Sequence, residues 1–207
     1  MSDFTLFDPS EYDKLKTPVQ EDFINTNLAM LCSFPDIVDK SFERLQKEIL
    51  STIEVGSRNR NLPSVVVSGF MVGFLKDLYP TFCREKDGRF FLKLQDNTKV
   101  YVNKLSNKFR PMGIDTKNRS KIVNQLTDEE SGEEIGNVFL GYTSSEDNIN
   151  NTGVYAVCID GDTMLWRLDL RSLEAKNPNI DRPLLPKPSD PRLKDGVVTI
   201  KKTGKQQ

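Results

Sequence analysis

NVFLGYTSSEDNINNTGVYAVCIDGDTMLWRLDL, residues 137–170, decides the fold. NVFLGYTS, VYAVCID and TMLWRLDL are rich in β-branched and aromatic residues, and each is bounded by turn-forming sequence: the loop SEDNINNTG before the second and the Gly161–Asp162 turn before the third. The pattern predicts three consecutive antiparallel strands whose inward positions include Val138, Leu140, Val154, Ala156, Cys158, Leu165 and Trp166. Upstream, REKDGRFFLKL carries an Asp-Gly turn before an extended run, QDNT makes a second turn, and KVYVNKL alternates Val100, Val102 and Leu105 to one side. These predict a hairpin or short meander ahead of the main one.

The chain before Thr81 has a different period. In PDIVDKSFERLQKEILSTIEV, Ile37, Val38, Phe42, Leu45, Ile49 and Ile53 fall on one helical stripe, with charged residues opposite. Pro35 is expected in the first turn of that helix. A shorter helix is expected in QEDFINTNLAMLCS, and LPSVVVSGFMVGFLKDLYP is read as a buried helix. Gly69 and Gly73, four apart, would let another element approach it closely. Beyond Asn177 the prolines at 178, 183, 186, 188 and 191 exclude regular structure and predict an extended arm, with residues 197–200 as a further edge strand. The expected architecture is α+β: N-terminal helices (1–80) packed on an antiparallel meander sheet (81–176) of the same domain, followed by a Pro-rich arm and basic tail (177–207).

Composition narrows the chemistry. The chain has 207 residues, net charge -1 and no histidine, which removes Ser-His and Cys-His nucleophiles, His bases and His-ligated zinc. Cys32, Cys83 and Cys158 are scattered among apolar residues and are read as free, buried thiols. The N-terminus has no basic, apolar leader pattern, and no window approaches the roughly 18 apolar residues of a membrane span, so a cytoplasmic location is expected.

Three groups of residues invite a functional reading. NKLSNKFRPMGIDTKNRSK, residues 103–121, sets Lys104, Lys108, Arg110, Lys117, Arg119 and Lys121 against the single acid Asp115, and the acidic run DEESGEE follows from residue 128. The cations suit phosphate contacts, a partner with an acidic surface, or a solvated connection between strands. Asp160, Asp162 and Asp169, with Glu146 or Asp147, suit a Mg²⁺ site for phosphodiester hydrolysis, although Asp160 and Asp162 around Gly161 are also what a tight turn requires. Tyr142 and Trp166 suit base stacking or partner contact, or else core packing. The arm PLLPKPSDP suits either a docking strand or a strap against its own domain.

The order of strand, Gly141-Tyr142, loop, strand, Gly161 turn and Trp166-bearing strand resembles an uncharacterised family of proteins from low-GC Gram-positive bacteria and their phages. That resemblance implies a phage or mobile-element setting and no particular activity. The combined expectation is a non-catalytic accessory protein, without cofactor or membrane partner. It would bind a host protein or protein–nucleic-acid complex, with inhibition of host defence in the manner of anti-CRISPR proteins as the candidate role. The alternatives are binding of free nucleic acid or a Mg²⁺-dependent nuclease.

Overall fold

A computed structural model describes residues 13–51, 61–86, 88–113, 116–127, 136–183 and 185. Helix α1 (Gln20–Arg44) and α2 (Leu62–Leu78) precede the strands β2 (Cys83–Lys86), β3 (Arg89–Lys93), β4 (Lys99–Lys104), β6 (Asn137–Ser144), β7 (Asn151–Asp160) and β8 (Thr163–Asp169). These strands form one sheet in the order β2-β3-β4-β6-β7-β8. Short strands β1 (Asp13–Lys14) and β5 (Leu126–Thr127) pair separately, and helices α3 (Lys117–Val123) and α4 (Leu170–Lys176) complete the set. The α+β reading holds. Both expected antiparallel units are present, and β4 and β6 join them side by side in parallel, from Lys99↔Asn137 to Lys104↔Tyr142.

One apolar core lies between the helices and the inner sheet face. Leu31, Phe34, Ile37, Val38, Val67, Met71 and Leu75 meet Leu92, Val100, Val138, Leu140, Val154 and Ala156 there. The outer face carries a smaller cluster of Leu105, Phe139, Val157 and Ile159, against which Phe109, Ile122, Val123 and Tyr155 pack.

Several expectations need correction. The first two predicted helices are one element, α1, with its break at Asn27 (φ −120°, ψ 16°) rather than before Pro35. Pro35 is interior and buried, so core contacts on this face outweigh its missing N–H. From Leu45 to Leu50 the helix widens into a π-helical turn, and Ile53, expected on the same stripe, lies outside the described residues. Leu165 is 41% exposed, because a register shift at Cys158/Ile159 leaves it opposite no residue of β7 and turns it out of the core. The strap reading of the arm holds for its start: Arg182 donates to the Cys32 carbonyl at 3.1 Å and pairs with Glu174, and Leu185 packs on the main core. Pro186, Pro188, Pro191 and the proposed strand at 197–200 lie outside the described residues.

Gln125 joins elements that the sequence keeps apart. It is fully buried and sits at φ 54°; its Nε2 donates to the carbonyls of Asn137 (2.8 Å) and Ile159 (2.7 Å), while its Oε1 accepts from the Asn137 N–H (2.5 Å). Gln125→Ala leaves these groups buried without partners, at about 1–3 kcal/mol each when uncompensated. Urea denaturation should show a loss of about 3 kcal/mol. An unchanged midpoint with unchanged slope would show that the brace does not support the sheet.

Candidate binding site

Helix α2 is apolar around most of its circumference, with Pro63 in its first turn and no charged residue before Lys76. Its inner face, Pro63, Val67, Met71, Phe74 and Leu75, is buried. The expectation that the whole helix is buried is corrected on the opposite side: Val65 is 67% exposed, and a Cβ added at Gly69 or Gly73 would meet only open space. A helix this apolar ordinarily has cover on every side.

Between those faces, Ser64, Val65, Ser68 and Val72 form one wall of a cleft. Val102 and Asn103 of β4 make the floor, and Met112 and Gly113 make the far wall. The larger lobe, about 1150 Å³, extends past Lys104 and Lys108 to Ser144–Asn148, and a smaller lobe of about 290 Å³ reaches Arg89 and Arg119. Both lobes share Val102, Asn103, Met112 and Gly113, so they adjoin.

The far wall is built by a chain reversal after β4. Leu105 bridges Pro111, the Phe109 N–H donates to the Ser106 carbonyl at 2.8 Å, and the Met112 N–H donates to the Lys104 carbonyl at 2.8 Å. Phe109, at φ 58°, is held edge-on against Tyr155 (4.8 Å) under the guanidinium of Arg167 (4.1 Å). Gly113 has φ 148°, a region open to glycine, and the Arg119 guanidinium donates to the carbonyls of Pro111 and Gly113. Met112 is thereby presented 46% exposed on the same lobe as Val65.

The basic run does not form one surface. Lys104 donates to Asn148 Oδ1 and Lys108 is exposed at the reversal, both on the cleft. Arg110 crosses to the β7–β8 turn and pairs with Asp162 at 2.8 Å. Lys117, Arg119 and Lys121 belong to α3, an unexpected helix whose first turn is capped by Thr116 Oγ1 accepting from the Arg119 N–H at 3.2 Å. Asp115 and the acidic run at 128–134 lie outside the described residues.

The candidate carboxylates are dispersed. Asp160 pairs with Lys14 at 2.5 Å and Asp162 with Arg110. Asp169 lies at the other end of β8, opposite Tyr155, roughly 20 Å away at about 3.3 Å per residue. It caps α4, accepting from the N–H groups of Arg171 (3.0 Å) and Ser172 (3.3 Å). In the β6–β7 loop, Ser145 and the Ile149 N–H hold the Asp147 carboxyl below its ordinary value, and Glu146 lines the cleft. Among the described residues no three His, Cys, Asp or Glu side chains stand together as a metal site.

The aromatic pair packs inward. The Trp166 indole N–H donates to the Pro18 carbonyl at 2.8 Å and its ring lies 5.5 Å from Phe23. Tyr142 is 1% exposed, edge-on to Phe42 at 5.2 Å, and its hydroxyl, near Ser68 and Ser64, makes no hydrogen bond in this arrangement. Burial pushes its phenol up to about 12, against the opposing pull of those two serines. Cys32 and Cys158 are free and buried, as expected, and Cys83 is half-buried; burial and the nearby Asp160 push the Cys158 thiol up to about 12.

No protein family, no curated protein and no solved structure matches this chain in the comparisons made. No helix among the described residues is long and apolar enough to cross a membrane.

Tyr142→Phe removes a buried hydroxyl with no partner and should stabilise the fold by about 1 kcal/mol at neutral pH. Because the folded phenol titrates above its ordinary value of about 10, its contribution is intact below pH 10 and lost as pH rises towards 12. The advantage of the variant, read from urea midpoints, should therefore widen across that interval. A constant difference would show that the phenol ionises alike in both states.

Proposed function

We propose that this chain is a non-catalytic interaction protein that binds a partner protein in the cleft beside α2. The observation that carries the reading is the exposure of Val65 and Met112 on facing walls of an apolar-lined cleft, with lysines at its rim. Exposed apolar surface of this kind, rimmed by polar residues, is characteristic of protein contact sites. The structural employment of Asp160, Asp162 and Asp169, in ion pairs and a helix cap, supports a reading in which these carboxylates serve the fold.

The resemblance of the strand, Gly141-Tyr142 and Trp166 pattern to Gram-positive phage proteins extends the proposal to a host partner: a protein or protein–nucleic-acid complex, with inhibition of a defence effector as the role. Free nucleic acid is the second reading, favoured by Lys104, Lys108, Lys117 and Lys121. Against it stand the pairing of Arg110 with Asp162 and the engagement of Arg119 with two backbone carbonyls.

Wild-type protein and a Val65→Asp/Met112→Asp variant, used as bait in nuclease-treated Gram-positive host lysate, test the proposal. A protein retained by wild type and lost by the variant is expected. Retention by both baits would remove the cleft from the function. Gel shifts showing tight, salt-sensitive binding of DNA or RNA would favour the second reading. Mg²⁺-dependent cleavage abolished by Asp160→Ala or Asp162→Ala would establish an enzyme instead.

A further inference from the structure

We infer that the cleft takes an acidic, amphipathic segment of its partner, placing a carboxylate near Lys104 and Lys108 at the first turns of α2 and an apolar side chain between Val65 and Met112. The inference rests on the reading of the cleft as the partner site and adds the chemistry of what enters it.

Charge is the first support. Arg89, Lys104 and Lys108 line the two lobes, against the single described acid Glu146. Among the described residues this is a local excess of positive charge, of the kind that steers an acidic partner and orients it.

The second support is the direction of α2. Its first-turn residues Ser64 and Val65 line the larger lobe, so the positive end of a 17-residue helix borders the space between the lysines and the apolar wall. A third, independent observation lies beneath it. The buried Tyr142 hydroxyl, without a hydrogen bond of its own, sits close to Ser64 and Ser68, which line the lobe. A small rotation would let Tyr142 donate to a serine oxygen while that serine's own hydroxyl proton points into the cleft. An anion there would complete the chain and satisfy the buried phenol.

The apolar residues select between anions. Val65, Val102 and Met112 offer a nucleic-acid backbone nothing to bond, whereas an apolar side chain carried next to a carboxylate can pack on them. An acidic and a leucine-like side chain on one face of a helix would offer partners to the lysines and to the apolar residues alike.

Fluorescence anisotropy with three fluorescein-labelled synthetic helical peptides tests this. One carries Glu and Leu at helical spacing, one replaces each Glu by Lys, and one replaces each Leu by Ala. The Glu/Leu peptide should bind at least about tenfold more tightly than either control, with affinity falling as salt rises. Lys108→Glu and Lys104→Glu/Lys108→Glu should each weaken it, the double variant by about tenfold or more. Lys108 is exposed at the reversal, so its single variant keeps the test valid if the half-buried Lys104 is needed for folding.

Equal binding of the Lys/Leu peptide, no binding of any peptide, or indifference to both reversals would overturn the inference. So would displacement of the Glu/Leu peptide by millimolar inorganic phosphate or by single-stranded oligonucleotide. Lysate capture separates this failure from that of the cleft itself. A partner lost by Val65→Asp/Met112→Asp yet kept by the lysine reversals preserves the cleft and removes the acidic anchor, whereas a partner kept by every variant removes both.

Discussion

The close parallel approach of β4 and β6 is the constraint on which the rest depends. Each antiparallel unit closes its own hydrogen bonds locally, but one sheet requires Asn103 to lie directly beside Gly141. A Cβ at position 141 would sit 2.3 Å from the Asn103 carbonyl oxygen and 2.7 Å from Leu105 Cγ, so this contact depends on glycine. The pairing fixes where β4 ends and the chain turns back. That turn places Met112 opposite α2, and Gln125 then ties the returning chain to β6 and β7.

What the sequence disclosed follows from which forces are local. The main meander was legible because Val138, Leu140, Val154 and Ala156 keep a period of two between recognisable turns, and all four are buried on the inner face. Leu165 broke the pattern because a bulge shifts the period by one residue and leaves no compositional mark. Pro35 misplaced a helix boundary because local propensity was outweighed by the burial of this part of α1 in the folded chain. Gln125 carried no signal at all: an isolated glutamine at positive φ acquires its role only when Asn137 and Ile159 surround it.

The candidate site was legible only in fragments. Thr116 before KNRSK and Asp169 before LRSLEAK are helix N-caps, a signal present in the sequence but obscured by reading one stretch as a charge run and the other as a metal ligand. The lysines at 104 and 108 stood out as part of a uniform basic run, and only tertiary structure divides that run between a cleft, an ion pair and a small helix. The wall they face comes from α2, some forty residues earlier, whose unbroken apolar composition concealed that one side is open.

The packing of α2 against late strands has a consequence for synthesis. Met71 and Leu75 share a core with Val138, Leu140, Val154 and Ala156, residues that leave the ribosome about 60–85 positions afterwards. At about 5–20 residues per second, the most apolar helix of the chain waits on the order of ten seconds before its cover exists. During that interval α1 is available to cover part of its inner side, while the rest of that side and the one that stays open face the nascent chain's surroundings. The burden on cellular chaperones therefore falls on the helical region that precedes the sheet, and it would be relieved in a circular permutant that begins at the β6 strand.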